Sequence, residues 1–156
     1  MILDGGPCEN GIESTVIDCR PELPVLLRPG PLTPEQIREQ VGIELQISKP
    51  FNQASQPVSP GQIESHYAPR ATVRLNAEDK RQDEVYIAFG PSRAGLKPDF
   101  NLSEQGDLIE AAANLFTVLH EADALGAAAI AFGPIPMAGL GLAINDRISR
   151  AAAPKP

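Results

Sequence analysis

Apolar residues fall in short clusters along the first third of the chain and in longer, periodic runs along its second half. Ser14-Thr15-Val16-Ile17-Asp18-Cys19 carries β-branched residues in succession, and Pro24-Val25-Leu26-Leu27-Arg28 is a second apolar run. Both read as strands, and Pro21 and Pro24 predict a hairpin-like or bulged connection between them. Pro29-Gly30-Pro31 is a firm break. Thr33-Pro34-Glu35-Gln36 then opens a helix. Thr33 caps it, Pro34 suits the first helical position, and Gln36 reaches back as the capping-box partner. The helix passes through Ile37 and Val41 and stops at Gly42.

Residues 49–70 contain four prolines and no hydrophobic period, which predicts a linker of 22 residues. Loops beyond about 12–15 residues tend to be functional or disordered, so a purely passive connection is too simple a reading. From residue 71 onward strand and helix patterns alternate. Ala71–Leu75 and Glu84–Phe89 read as strands. Asp107, with Glu110 behind it, caps a helix whose apolar face is read as Ile109, Ala112, Ala113, Phe116 and Leu119. Ala127–Phe132 reads as a short buried strand and Ala143–Ala152 as a final helix. Such alternation predicts an α/β layer with a mostly parallel sheet. No internal repeat is visible.

Composition narrows the function classes. The chain has 156 residues, 42% of them hydrophobic and 21% charged. This is one ordinary domain or two small ones, too apolar for a disordered chain. Its 20 acidic and 13 basic side chains give a net charge of −7. Tight nucleic-acid binding draws on clustered Lys and Arg, so direct tight binding of RNA or DNA is not expected. With no Trp and few Phe and Tyr there is no platform for stacking bases. Cys8 and Cys19 do not make a disulfide framework and read as two small buried thiols in a reducing compartment. No apolar run approaches a membrane span and the N-terminus lacks signal-peptide organisation, which predicts a soluble, cytoplasmic protein.

Four places can carry chemistry, each with a plainer alternative. The turns Asp4-Gly5-Gly6-Pro7 and Asn10-Gly11, ahead of Glu13-Ser14-Thr15, can cradle an anion with backbone N–H groups and hydroxyls, or serve only as tight turns. Arg28 ends an apolar run beside a rigid turn; its guanidinium suits a phosphate or carboxylate, or pairs at the surface. His66-Tyr67 on the proline-stiffened segment can close over a ligand, or dock on its own domain. Gly139-Leu140-Gly141 can meet a phosphate at a helix N-terminus, or permit close packing. Asp146 and Arg147 read as surface or interface contacts, and His120 and Glu121 as a helix edge. There is no Ser-His-Asp triad, Walker lysine, metal ligand set or carboxylate dyad.

Taken together, these segments resemble a known family. Asp4-Gly5-Gly6-Pro7-Cys8 through Gly11–Asp18, then Leu26-Leu27-Arg28-Pro29-Gly30, resembles the end of the YrdC-type catalytic domain. Ser59-Pro60-Gly61 followed by His66-Tyr67-Ala68-Pro69 is similar to the linker of the two-domain threonylcarbamoyl-AMP synthases. Gly106-Asp107, Glu110–Phe116 and Gly139–Arg147 resemble their C-terminal accessory domain.

The resemblance implies a fold, a reaction and a division of roles. The fold would be α/β. A Rossmann-like C-terminal domain would occupy 71–156, an incomplete strand-rich remnant of a YrdC-like α/β domain would occupy 1–48, and 49–70 would link them. The reaction would join L-threonine, bicarbonate and ATP into threonylcarbamoyl-AMP, with pyrophosphate released. A downstream transferase would carry the threonylcarbamoyl group to tRNA. Ser14 would contact threonine, and Arg28, His66 and Tyr67 the ATP, with Mg2+ accompanying the triphosphate. No catalytic residue is assigned. The family's catalytic domain is a unit of about 200 residues, and the Lys-, Arg- and Ser-x-Asn-bearing segments of its pocket have no counterpart here. The expectation is a C-terminal portion, from a truncated product, a misplaced start or a split enzyme, inactive until the missing region or a partner chain is supplied. The rival expectation is a non-catalytic interaction or regulatory module that ignores ATP and threonine.

Overall fold

A computed structural model of the chain describes residues 6, 10–47, 68–92 and 95–153. The described residues build two sheets. The first has three strands in the order β1-β2-β3, with β1 at Val16–Asp18, β2 at Val25–Arg28 and β3 at Gln46–Ile47. β1 and β2 are antiparallel, so the hairpin-like alternative forms, and a register irregularity falls inside the pair, between Val16 and Ile17. β2 and β3 run parallel. Parallel neighbours need a crossover, and helix α1 (Pro34–Val41) supplies it.

α1 follows its local signals residue by residue. The Thr33 hydroxyl accepts from the Gln36 N–H at 3.3 Å, and the Gln36 side chain accepts from the Thr33 N–H at 2.9 Å. Gly42 ends the helix at φ 69°, in the left-handed region, and donates its N–H to the Arg38 carbonyl.

The second sheet is entirely parallel, in the order β4-β7-β5-β6. Its strands are β4 (Thr72–Arg74), β5 (Glu84–Ala88), β6 (Phe100–Asn101) and β7 (Ala129–Phe132). The expected α/β class with a mostly parallel sheet is therefore what forms. β5 and β7 occupy the middle and read as apolar runs because both of their faces are covered. Val85, Ile87, Ile130 and Phe132 join one core with helices α2 (Leu108–Ala124) and α3 (Leu140–Ala151). On the opposite face Tyr86, Ala88 and Ala131 pack with Ala77 and Leu96. Asp123, near the end of α2, accepts the Ala71 N–H at 3.1 Å and pins the entry to β4.

Several local expectations shift. The buried stripe of α2 is Ala111, Ala112, Leu115, Leu119 and Ala122, while Ile109 is exposed. Capping chemistry sets this rotation. Asp107 accepts the N–H groups of Ile109 and Glu110, the Ser103 hydroxyl donates to Glu110, and Asn114 donates to the Leu102 carbonyl. With Glu110 and Asn114 turned toward the loop after β6, the next positions round the helix meet the sheet. α3 begins at Leu140, three residues before the expected Ala143, and takes in Gly141. A Cβ there would lie 2.0 Å from the Pro136 carbonyl oxygen, so the glycine serves close packing. Cys19 is a free, exposed thiol rather than a buried one, because it follows β1 at the sheet's open end. Cys8 lies outside the described residues.

Candidate functional site

Ser14 and Arg28, fourteen residues apart in sequence, are brought together where β1 and β2 pair. Arg28 Nε donates to the Ser14 carbonyl at 3.0 Å, and Arg28 Nη2 donates to the Ser14 hydroxyl at 3.2 Å. Ser14 is exposed and Arg28 half-buried, so the pair sits at the surface with its polar groups in reach of a ligand. The turns around the pair are fixed by close backbone approach. A Cβ at Gly30 would lie 2.3 Å from the Thr15 nitrogen and 2.6 Å from the Glu13 carbonyl oxygen. Only glycine lets the chain leaving β2 lie against the chain entering β1. Thr15 ties the same place down. Its hydroxyl donates to the Leu32 carbonyl at 2.7 Å and accepts the Leu32 N–H at 3.1 Å.

The pair also rests on the second sheet's helices. Gly11 lies on the backbone of Ala112 and Ala113 in α2, and Ile12 packs against the larger core. Arg147 of α3 donates through Nε to Glu13 Oε2 at 2.6 Å and through Nη2 to the Pro29 carbonyl at 3.1 Å. Burial pushes the Glu13 carboxyl up, but its hydrogen bonds from Arg147 and from its own backbone, with the charges of Arg147 and Arg28, hold it below the ordinary glutamate value. Arg147 is 2% exposed and Asp146 is buried beside it, so of the expected surface or interface contacts Arg147 makes the interface kind, from α3 to the chain around β1 and β2. The signal was available. Leu140, Ala143, Ile144, Arg147, Ile148 and Ala151 share one helical stripe, so Arg147 falls within an apolar face.

His66 and Tyr67 lie outside the described residues, as does the expected linker up to residue 67. His120 and Glu121 are exposed on α2, at its edge as expected. Among the described residues no three His, Cys, Asp or Glu side chains form a metal ligand group, so the expected Mg2+ finds no carboxylate cage in this part of the chain. No helix among them is long and apolar enough to cross a membrane.

Fold and site together define an α/β protein in which a small mixed sheet, carrying a serine–arginine pair, docks on a parallel four-stranded unit. The family described as threonylcarbamoyl-AMP synthase, C-terminal domain, matches residues 32–153, and the chain belongs to it. It is similar to the threonylcarbamoyl-AMP synthase of Bacillus subtilis, with 33% identity over 97% of this chain and 48% of the relative. It is also similar to the crystal structure of P. abyssi Sua5 complexed with L-threonine, at 32% identity and a TM-score of 0.77, over 96% of this chain and 48% of that one. A further P. abyssi Sua5 structure, of a variant with an adjacent His and Tyr both replaced by Ala, matches at 27% identity and a TM-score of 0.72, over 96% of this chain and 47% of that one. The chain spans about half the length of the relatives it matches.

Proposed function

We propose that this chain supplies one wall of a synthase that makes L-threonylcarbamoyladenylate from L-threonine, bicarbonate and ATP, for tRNA modification in the cytoplasm. The amine of threonine takes up bicarbonate with loss of water. The resulting carbamate joins the adenylate with loss of pyrophosphate. In this reading Ser14 contacts threonine, Arg28 the ATP phosphates, and His66-Tyr67 the nucleotide. The observation that carries it is the Arg28 guanidinium held on Ser14 by two hydrogen bonds, which would set an amino-acid contact beside a phosphate contact. A P. abyssi Sua5 structure with L-threonine bound supports the threonine-binding reading, and a second structure of that same protein is altered at an adjacent His and Tyr. Mg2+ would arrive with the triphosphate. Residues 1–48 act as the end of a YrdC-like catalytic domain, 49–70 as the linker, and 71–156 as the accessory domain.

The chemistry is mostly positioning and charge neutralisation. A triphosphate brings several negative charges, and a chain of net charge −7 with Arg28 at the pair does not offset them alone. We therefore assign synthesis to this chain together with a region like the other half of its relatives, in cis or as a second chain. The test is pyrophosphate release from ATP, threonine and bicarbonate. The 156-residue chain alone gives none at any magnesium concentration, and adding that region gives turnover. Robust turnover by the chain alone, free of longer enzyme by mass spectrometry, contradicts the assignment. Binding of a protein partner with no response to ATP or threonine, even after the region is added, favours an interaction module instead.

A further inference from the structure

We infer that Arg147 is a positioning residue: from α3 of the four-stranded unit, its guanidinium clamps the chain on both sides of the Ser14–Arg28 pair. The inference deepens the reading of that pair as substrate-binding and rests on it for its functional meaning. Glu13 immediately precedes Ser14, and Pro29 immediately follows Arg28. Arg147 reaches both at once, the Glu13 carboxylate at 2.6 Å and the Pro29 carbonyl at 3.1 Å. Its third arm donates to Asp146, which also accepts from Arg150 Nε at 3.0 Å and Nη2 at 3.1 Å. Arg147 and Arg150 thus meet the Glu13 and Asp146 carboxylates at the junction of the two sheets, with Arg28 near enough to act on Glu13 as well.

The geometry asks for arginine specifically. A planar fork offers its donors at fixed angles, so meeting a carboxylate and a carbonyl with adjacent arms orients both chain segments relative to each other. A lysine keeps the charge and loses that fixed relation. The fork is itself held, because Asp146 is gripped by Arg150 one turn along α3. Gly30 and the Thr15–Leu32 bonds fix the backbone beside the pair, and Arg147 adds a side-chain tie to the residue before Ser14 and the residue after Arg28. Through Arg147 the accessory unit acquires a physical means of setting the distance between the proposed threonine and phosphate contacts.

The test uses the full 156-residue chain, labelled with 15N, and the variants Arg147→Met, Arg147→Lys and Glu13→Gln. The readouts are the Arg28 Nε–H resonance and amide exchange at Ser14 to Val16, with β5 and β7 as internal reference. Arg147→Met is expected to move the Arg28 Nε–H resonance and to speed exchange at Ser14 to Val16 by about tenfold, with less than about twofold change in β5 and β7. Glu13→Gln should move the same signals in the same direction by less, and Arg147→Lys should recover only part. If Arg147→Met does not fold, the other two variants decide. Unchanged Arg28 and Ser14 signals in both of them overturn the inference. So does exchange that rises equally in both sheets in every folded variant, since that is what a merely structural ion pair does. L-threonine and ATP affinities are measured on the same variants after the complementary region is added. A loosened pair with unchanged affinities leaves the clamp standing and removes the substrate reading, which separates the two failures.

Discussion

In the four-stranded sheet β5 is buried along its whole length and β7 nearly so, walled in by α2 and α3 on one face and by Ala77 and Leu96 on the other. In the three-stranded sheet β1 is half-buried, β3 exposes both of its residues, and Leu26 and Ile37 are its buried apolar side chains. Leu23, Val41, Ile43 and Ile47 meet solvent there. The two sheets differ in pairing, one mixed and one entirely parallel, and they differ still more in how far they are covered. Each Å² of apolar surface removed from water contributes about 25 cal/mol, and the smaller sheet removes little with its own elements. It borrows the rest through Ile12 in the larger core and through Arg147. Leu23, Val41, Ile43 and Ile47 make an exposed apolar set beside the smaller sheet, and the chain spans about half the length of the relatives it matches.

The largest effect should come from cutting the better core. Phe132→Ala is expected to cost about 3–5 kcal/mol and to abolish cooperative urea unfolding of the four-stranded unit. Leu26→Ala removes a side chain just as buried, yet should loosen only the three-stranded sheet. A Leu26→Ala variant that lowers the urea midpoint of both sheets equally would break the comparison.

Next come the two residues of the site, in the enzyme completed by the complementary region. Arg28→Ala should weaken ATP use about ten- to hundredfold, since a charge-assisted bond to phosphate contributes about 1.5–3 kcal/mol. Ser14→Ala should act mainly on threonine, at about 1 kcal/mol. Steady-state kinetics in each substrate check both, and unchanged ATP dependence in Arg28→Ala would sink the assignment.

Thr33→Ala is as small as Ser14→Ala and more local. Loss of one capping interaction costs about 1 kcal/mol, and it should appear as faster amide exchange within α1 while β5 is unaffected.

The ease of reading α1 from sequence has the same root as that modest effect. Thr33, Pro34, Gln36 and Gly42 act on their own neighbours, so the helix is written in nine or so adjacent residues. β3 and β6 were not legible, because two-residue strands such as Gln46–Ile47 and Phe100–Asn101 exist only through partners elsewhere in the chain. The start of α3 was missed because Gly139 carries no side-chain cap to mark it. Ser14 and Arg28 were legible as polar residues at strand ends. Their contact depends on a register irregularity and on Gly30, neither of which a linear pattern reveals. Arg147 reads from sequence as a surface or interface group; its place in an apolar helical stripe points inward, but its partners Glu13 and Pro29 lie more than a hundred residues away and no linear pattern names them.

Acid should act gently on both regions. Burial pushes the carboxyls of Glu13, Asp99 and Asp123 up, but hydrogen bonds and nearby cations leave each below its ordinary value. Glu84 is lowered first by its hydrogen bonds from Arg74. A depressed folded-state value means the stabilisation is complete above the unfolded values, 4.5 for Glu and 3.8 for Asp, and is lost as pH falls through the folded ones. Urea midpoints should therefore hold steady from neutral pH to about 5 and decline below it. Asp18, half-buried at the end of β1, is drawn down to about 2 by hydrogen bonds from the exposed Arg20, so its contribution should be lost only as pH falls toward that value. A midpoint that rises on acidification would reverse the sign of this account.

The contrast between a well-covered sheet and one that, on the proposed function, is completed by the other half of the synthase is tested most directly by amide hydrogen exchange with and without the complementary region. In the chain alone, amides of β1 and β2 should exchange far faster than those of β5 and β7. Adding the complementary region should slow β1 and β2 by about tenfold or more and leave β5 and β7 where they were. Equal protection of the two sheets in the chain alone, unchanged by that region, would contradict it.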